Sequence, residues 1–288
     1  MSTTVTMYPV VAALLKAQEF IRAANWNAVN SEQQIFLEEF YNSCKNELGL
    51  FSKQELESIA SWKLEDIVKF LEERGFPCHL NPIDENTFAI ASVLKVMVKW
   101  IKKGEVTKVR SYFQGRETEF PAVKIDKHLQ LTTKKNHQNP VATLMTENGD
   151  QVFMTMLDNP PQGFELVKLA ELFTKPDGYC DDFDGLIFPM VELDQMVDVS
   201  WILNLETADG KWYVSQAKQQ TKFKMNEVGA KVESGFQGAV TLRAIVERKQ
   251  PHVIDKPFLI WFTRKGLSKP YFVGHITQEN WKNPGNIF

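Results

Sequence analysis

The side chains that most often do chemistry are few in this chain and poorly spaced for it. The five histidines, His79, His128, His137, His252 and His275, show no metal-ligand spacing. Cys78 and His79 are neighbours, and adjacent side chains seldom face each other well enough to act as a thiolate–imidazole pair. Asp181, Asp182 and Asp184 offer carboxylate oxygens to a cation, but their spacing fits no EF-hand and reads as a solvated acidic loop. There is no glycine-rich phosphate loop. Lys102, Lys103, Lys108, Arg110, Arg116, Lys134 and Lys135 make the middle of the chain locally basic, which suits a solvated face or a polyanion site. No catalytic residues, no metal and no cofactor are expected, and the chain does not read as an enzyme.

A different kind of feature lies between residues 226 and 250. Arg243 stands between Leu242 and Ala244, beyond a run of mostly small residues, Gly235-Phe236-Gln237-Gly238-Ala239-Val240. An exposed arginine there suits a protease with an acidic primary pocket, because a guanidinium pairs bidentately with a carboxylate. As a strand, Ala230, Val232, Ser234, Phe236, Gly238, Val240 and Leu242 share one face, and Lys231, Glu233 and Gln237 share the other. That is the alternation of a half-buried strand. The same residues also read as an ordinary surface connection or a fixed strand, although a long irregular loop is uncommon unless it is functional.

These residues must be positioned by the elements around them. Residues 8–75 read as helical, with Val10, Val11, Leu14, Leu15, Phe20 and Ile21 at helical spacings. Ser31, Ser52 and Ser61 are candidate helix caps, the last two with Glu55 and Glu65 following. Residues 88–101 suit a strand as well as a helix. Residues 141–145 and 152–157 flank Asn148-Gly149 and predict a hairpin. Residues 164–173 predict one short helix. Residues 212–225 alternate as one long strand. Residues 257–263 and 269–276 predict two closing strands with a turn at Lys265-Gly266. Helices first and strands afterwards argue for an α+β fold.

Composition narrows the partners. The chain has 288 residues, 43% hydrophobic and 24% charged, with a formal charge of −3. No global field favours nucleic acid or an anionic membrane, and no apolar run reaches a membrane span. Three cysteines, far apart, make no disulfide framework and fit a reducing compartment. Residues 1–5 carry no basic region before an apolar core, so no secretory signal is read and an intracellular location is expected, with secretion left open for a mature chain.

The last quarter carries a family likeness. Tyr213-Val214-Ser215-Gln216-Ala217 is followed by Phe223-Lys224-Met225-Asn226-Glu227-Val228-Gly229. Then come Asp255-Lys256-Pro257-Phe258-Leu259-Ile260, Tyr271-Phe272-Val273-Gly274-His275-Ile276 and Asn283-Pro284. This order resembles the C-terminal part of serpins. The hairpin and helix before it, and Phe188-Pro189-Met190-Val191-Glu192-Leu193 with Val197-Asp198-Val199, extend the resemblance to residues 105–288. Residues 1–100 do not match; that half is shortened and divergent. The resemblance implies one serpin-like domain over 1–288, a β-rich body with a large sheet, and an exposed reactive loop. It makes Glu227, Gly229, Ala230 and Val232 the hinge, and counting on from Glu227 it puts the reactive bond at Arg243-Ala244. The implied function is a monomeric protease inhibitor that acts as a suicide substrate of a trypsin-like serine protease. The alternative is a non-inhibitory serpin-like binding or structural protein whose loop does not insert.

Overall fold

A computed structural model describes residues 1–23, 25–228 and 249–287. The first third gives β1 (Thr3–Val5), α1 (Met7–Ile21), β2 (Trp26–Asn27), α2 (Ser31–Phe36), α3 (Asn42–Cys44), β3 (Leu56–Ser61), α4 (Leu64–Glu72) and β4 (Ala89–Leu94). The middle gives β5 (Glu105–Phe113), β6 (Arg116–Ile125), β7 (Leu129–Lys134), β8 (His137–Met145), β9 (Gln151–Met156) and α5 (Phe164–Thr174). The rest gives β10 (Gly178–Tyr179), β11 (Leu186–Pro189), β12 (Val191–Val197), β13 (Glu206–Thr207), β14 (Gln219–Met225), β15 (His252–Val253), β16 (Phe258–Thr263) and β17 (Phe272–Ile276). The fold is α+β.

A seven-stranded antiparallel sheet in the order β1-β17-β16-β9-β8-β7-β10 forms the centre. The predicted hairpin pairs as β8 with β9, Ala142 opposite Met154 and Leu144 opposite Val152. Gly149 takes φ +85° in its turn, a conformation open to glycine without strain. The predicted closing strands pair as β16 with β17. Both are buried on two faces, which explains their unbroken apolar runs. One face meets α5, where the Trp261 indole N–H donates to Thr174 Oγ1 at 2.9 Å. The other face meets the β12–β14 pair, where Phe223 stands 5.8 Å from Phe262. A second sheet runs β15-β11-β6-β5.

The first third departs from its helical reading. Ser52 and Glu55 make the reciprocal bonds of a helix start: Ser52 N donates to Glu55 Oε2 at 2.8 Å, and Glu55 N donates to Ser52 Oγ at 3.2 Å. No helix follows. The chain enters β3 instead, because Leu56 to Ser61 finds a full antiparallel partner in β4. The cap predicted at Ser31 is Asn30, whose Oδ1 accepts from Gln33 N. Residues 212–225 are not one long strand either. Only β14 is ladder, and 212–218 is irregular apart from a bridge between Glu206 and Tyr213. There the backbone of Trp212 and Val214 is held by residues 204–207, not by a neighbouring long strand.

One ionic node ties the first third to the central sheet. Arg264, at the end of β16, donates to Asp150 Oδ1 and Oδ2 at 2.8 and 2.9 Å. It also donates to Glu55 Oε1 at 2.7 Å and to the Leu50 carbonyl at 3.2 Å. The Tyr271 hydroxyl donates to Asp150 Oδ2 at 3.0 Å. Burial and the Asp150 charge push that phenol far above its usual value. Burial alone would raise the Glu55 carboxyl, but hydrogen bonds from Arg264 and Ser52 hold it below 4.5. Arg264→Ala strands the buried Asp150 carboxylate and should cost about 3–5 kcal/mol, read as a drop in the denaturant midpoint. Because the folded Glu55 value is depressed, its stabilisation is present above pH 4.5 and lost as pH falls through the folded value. The acid limb of the wild-type stability curve should therefore be shallower after Glu55→Gln.

Candidate functional site

Of the residues singled out for the loop, Glu227 lies within the described chain; Gly229, Ala230, Val232, Arg243 and Ala244 lie outside it. The site is therefore built from the two places where the chain enters and leaves 229–248, and from the cleft beside the first of them.

β14 ends at Met225, and residues 226–228 turn away under several restraints. The Trp100 indole N–H donates to the Asn226 carbonyl at 3.0 Å in a buried setting. Asn226 Nδ2 donates to the Gly285 carbonyl at 2.9 Å, and Val228 N donates to Asn226 Oδ1 at 3.0 Å. Gly104 N donates to the Glu227 carbonyl at 2.8 Å. Lys103 Nζ lies 3.5 Å from the Glu227 carboxylate, an exposed contact of little energetic weight. Gly104 is required by space: a Cβ there would sit 2.2 Å from Val123 Cγ1 and 3.2 Å from the Lys124 carbonyl. Trp100 and Gly104, which hold the 226–228 turn, were not legible in the sequence, since they lie more than a hundred residues before it.

The chain returns at β15, which runs parallel to β11 with Leu186 beside His252. His252 N donates to the Gly185 carbonyl and Ile254 N to the Ile187 carbonyl, both at 2.8 Å. Lys249 Nζ donates to the Asp181 carbonyl, so the acidic loop helps to hold this end through its backbone. Burial pushes the His252 imidazole down from its ordinary value.

Beside the first of these anchors opens a cleft of about 950 Å³, with Trp100 and Met225 among its lining. β4 forms one side and β14 the other, with Val10, Ala13 and Leu14 of α1 among its lining. Phe88, just before β4, meets Trp212 edge-on at 5.4 Å at one end. Trp100, beyond β4, meets Asn226 at the other. The two segments therefore run in the same direction. Among the described residues β14 pairs only with β12 and β4 only with β3, so each strand has an edge without a ladder partner. Residues 76–88 reach across near the Trp212 end, where Asn81 N donates to Gln216 Oε1 at 2.8 Å. Nearby, Lys222 Nζ donates to the Gly75 carbonyl at 2.9 Å.

The other candidates stay apart. Lys102 pairs with Asp126, Lys108 and Arg110 with Glu119, and Lys134 with Asp177, so much of the basic middle is locally neutralised. Cys44, Cys78 and Cys180 are free thiols. Among the described residues no group of three histidine, cysteine or acidic side chains is placed to hold a metal ion, and no helix is long and apolar enough to cross a membrane.

The take-off geometry predicts the effect of a single methyl group. Gly104→Ala must displace β6 or the 226–228 turn and should cost about 1–3 kcal/mol. Gly49→Ala, with open space around its Cβ, is the matched control and should leave the melting temperature nearly unchanged.

No family model matches the sequence, and no curated protein matches it. Solved structures do match. Serpin48, a highly specific serpin of the insect Tenebrio molitor, superposes with a TM-score of 0.61 at 14% identity, covering 96% of this chain and 92% of that one. Human glycosylated kallistatin gives 0.60 at 14%, covering 99% and 92%. Thyroxine-binding globulin in complex with thyroxine gives 0.58 at 12%, covering 98% and 93%. Coverage this complete takes in most of residues 1–100, which the sequence motifs did not reach. The chain has a serpin-like fold.

Proposed function

We propose that the chain is a serpin-like protease inhibitor that acts as a suicide substrate through residues 229–248. The observation that carries the reading is the pair of unpartnered edges on β4 and β14, which run in the same direction on either side of an open cleft. A segment that leaves β14 at Asn226–Val228 and folds back runs antiparallel to β14, and therefore to β4 as well. Such a strand meets backbone partners on both sides. Residues 230–242 extended span roughly 40 Å, on the scale of the run from Phe88 to Trp100. Their apolar face, with Val232, Phe236, Val240 and Leu242, turns toward the α1 side; Lys231, Glu233 and Gln237 turn toward water.

In this reading the target is a trypsin-like serine protease. Its nucleophilic oxygen attacks the Arg243 carbonyl carbon, the bond to the Ala244 nitrogen breaks, and the new amine leaves with a proton. The acyl-enzyme stays attached to Arg243 while residues 230–242 enter the cleft. The free energy of that insertion deforms the captured active site before water can remove the ester. Glu227, Gly229, Ala230 and Val232 form the hinge that must unbend first. The catalytic groups belong to the protease.

The non-inhibitory reading has one specific observation in its favour. The segment around residues 75–81 is bonded across the cleft, Asn81 to Gln216 and Gly75 to Lys222 of β14, which obstructs a fully inserted strand. The two readings separate on incubation with trypsin. The inhibitor forms a complex that survives boiling in SDS, and Arg243→Glu abolishes it. Chain cut once at Arg243 should melt higher than intact chain by at least roughly 5 °C, since a new strand buries apolar side chains worth about 2 kcal/mol each. Val232→Glu should remove that rise by placing a charge on the buried face. Rapid turnover with no complex and an unchanged midpoint would leave the binding protein standing.

A further inference from the structure

The cleft has two halves of different character, and the half near Trp212 is poorly built for a strand. Its walls are residues 76–88 and 212–218, both irregular. Trp212 and Val214 already bond residues 204–207 through their backbone: Thr207 N donates to Trp212 O and Val214 N to Leu205 O, at 2.8 and 2.9 Å. What this half offers instead is apolar side-chain surface. Ala13 and Leu14 of α1, Leu80 and Ile83 of the crossing segment, and Phe88 and Trp212 line it. Trp62 joins the same aromatic group, 5.8 Å from Trp212 and 5.5 Å from Phe88, and is half-exposed. Apolar surface of this kind, left open in a cleft within the size range of ligand pockets, marks a binding site.

Charge selects the ligand. Four lysines line the cleft: Lys211, Lys218, Lys222 and Lys224. Lys211 pairs with Asp209 at 3.2 Å, Lys222 with Asp194 at 3.4 Å and Lys224 with Glu192 at 2.9 Å. Lys218 alone of the four has no carboxylate within 4.0 Å among the described residues. On the opposite wall the Asp84 carboxylate is tied into its own turn, accepting from Thr87 Oγ1 at 2.7 Å and Asn86 N at 3.0 Å. The Lys218 charge lies close enough to Asp198 to help lower that carboxyl, but among the described residues no direct ion pair ties it down. An exposed ammonium without a direct ion pair, beside a long apolar trough, fits one monovalent head on an extended tail. A phosphate group would call for more donors than this single point charge.

We infer that this half of the cleft binds a long-chain carboxylic acid, with its tail against α1 and the Trp62–Phe88–Trp212 group and its carboxylate at Lys218. The site adjoins the slot proposed for the loop but does not require insertion, so it stands or falls without a protease in the experiment. A bound tail would also hold residues 76–88 in place across the cleft.

The test uses the full chain and parinaric acid, a polyene fatty acid whose fluorescence is sensitised by nearby tryptophan. Saturable binding at one site per chain is expected, with tryptophan emission quenched in step. Lys218→Glu should weaken it by about tenfold or more, as loss of a charged hydrogen bond followed by repulsion requires. The methyl ester, lacking the charge, should bind wild type more weakly and ignore the Lys218 change. Ala13→Phe, which fills the trough, should abolish binding; unaltered melting of either variant certifies its fold. Absence of saturable binding overturns the inference. So does equal binding of acid and ester, or an affinity that Lys218→Glu leaves unmoved.

Discussion

The structure depends on what happens to a strand edge that has no neighbour. Every backbone N–H and C=O must find a partner or stay in water, and an open edge is a standing template for another strand. β14 and β4 each satisfy one edge, with β12 and β3, and leave the other toward the cleft. β14 is otherwise well secured. Lys222 and Lys224 stand directly opposite Asp194 and Glu192 and pair with them across the ladder. Phe223, pointing the other way, packs on Phe262 and Phe272 of the central sheet. The edge is thus held in place and kept open at once. That combination is what the proposed function requires of a strand that receives a third.

The rigid part of the molecule supports this. β16 and β17 are buried on both faces and are interior strands of the central sheet, so their side chains touch both α5 and the β12–β14 pair. Arg264 then carries the order outward. It draws Asp150 from the β8–β9 turn and Glu55 from the entry to β3 onto one guanidinium, and so fixes β3 relative to the central sheet. β4 follows β3 through six paired residues. One wall of the cleft is therefore referred to the core through Arg264, and the other through Phe223. The width of the cleft is set by two separate chains of contact. Nothing in the ladder itself fixes it.

What could be read from residues alone follows from how local the determinants were. The β8–β9 hairpin was legible because Asn148-Gly149 specifies its own turn. Helix α5 and the β16–β17 pair were legible because their apolar patterns are continuous and bounded. β3 was not, since Ser52 and Glu55 make real helix-start bonds and only the distant β4 decides against a helix. The 212–218 stretch misled in the opposite sense. Its alternation records a wall with one side on the cleft and one on water, which a ladder also produces. Glu227 lies just beyond the end of β14, and the residues that hold this turn, Trp100 and Gly104, come from a stretch far earlier in the chain. No spacing rule links them to Asn226 and Glu227.

The same division bears on how a serpin-like shell is adapted. The first third supplies β3 and β4 as a separate pair, not as part of a continuous sheet with β14. A continuous sheet would have to break backbone bonds between its parting strands before admitting a third. Here β4 and β14 are already unpaired, and that cost is replaced by cross-cleft contacts, Gly75 with Lys222 and Asn81 with Gln216. Opening the slot at the Trp100 end thus requires only that residues 226–228 unbend, against one indole hydrogen bond, the Gly104–Glu227 contact and the Asn226 bonds. Completing it requires displacing a segment held by side chains, which exchange partners more readily than a ladder does. An insertion that starts easily and meets its main resistance late favours partial occupancy of the cleft. In the proposed reading, it leaves the Trp212 half to a second occupant while the Trp100 half receives the inserted segment.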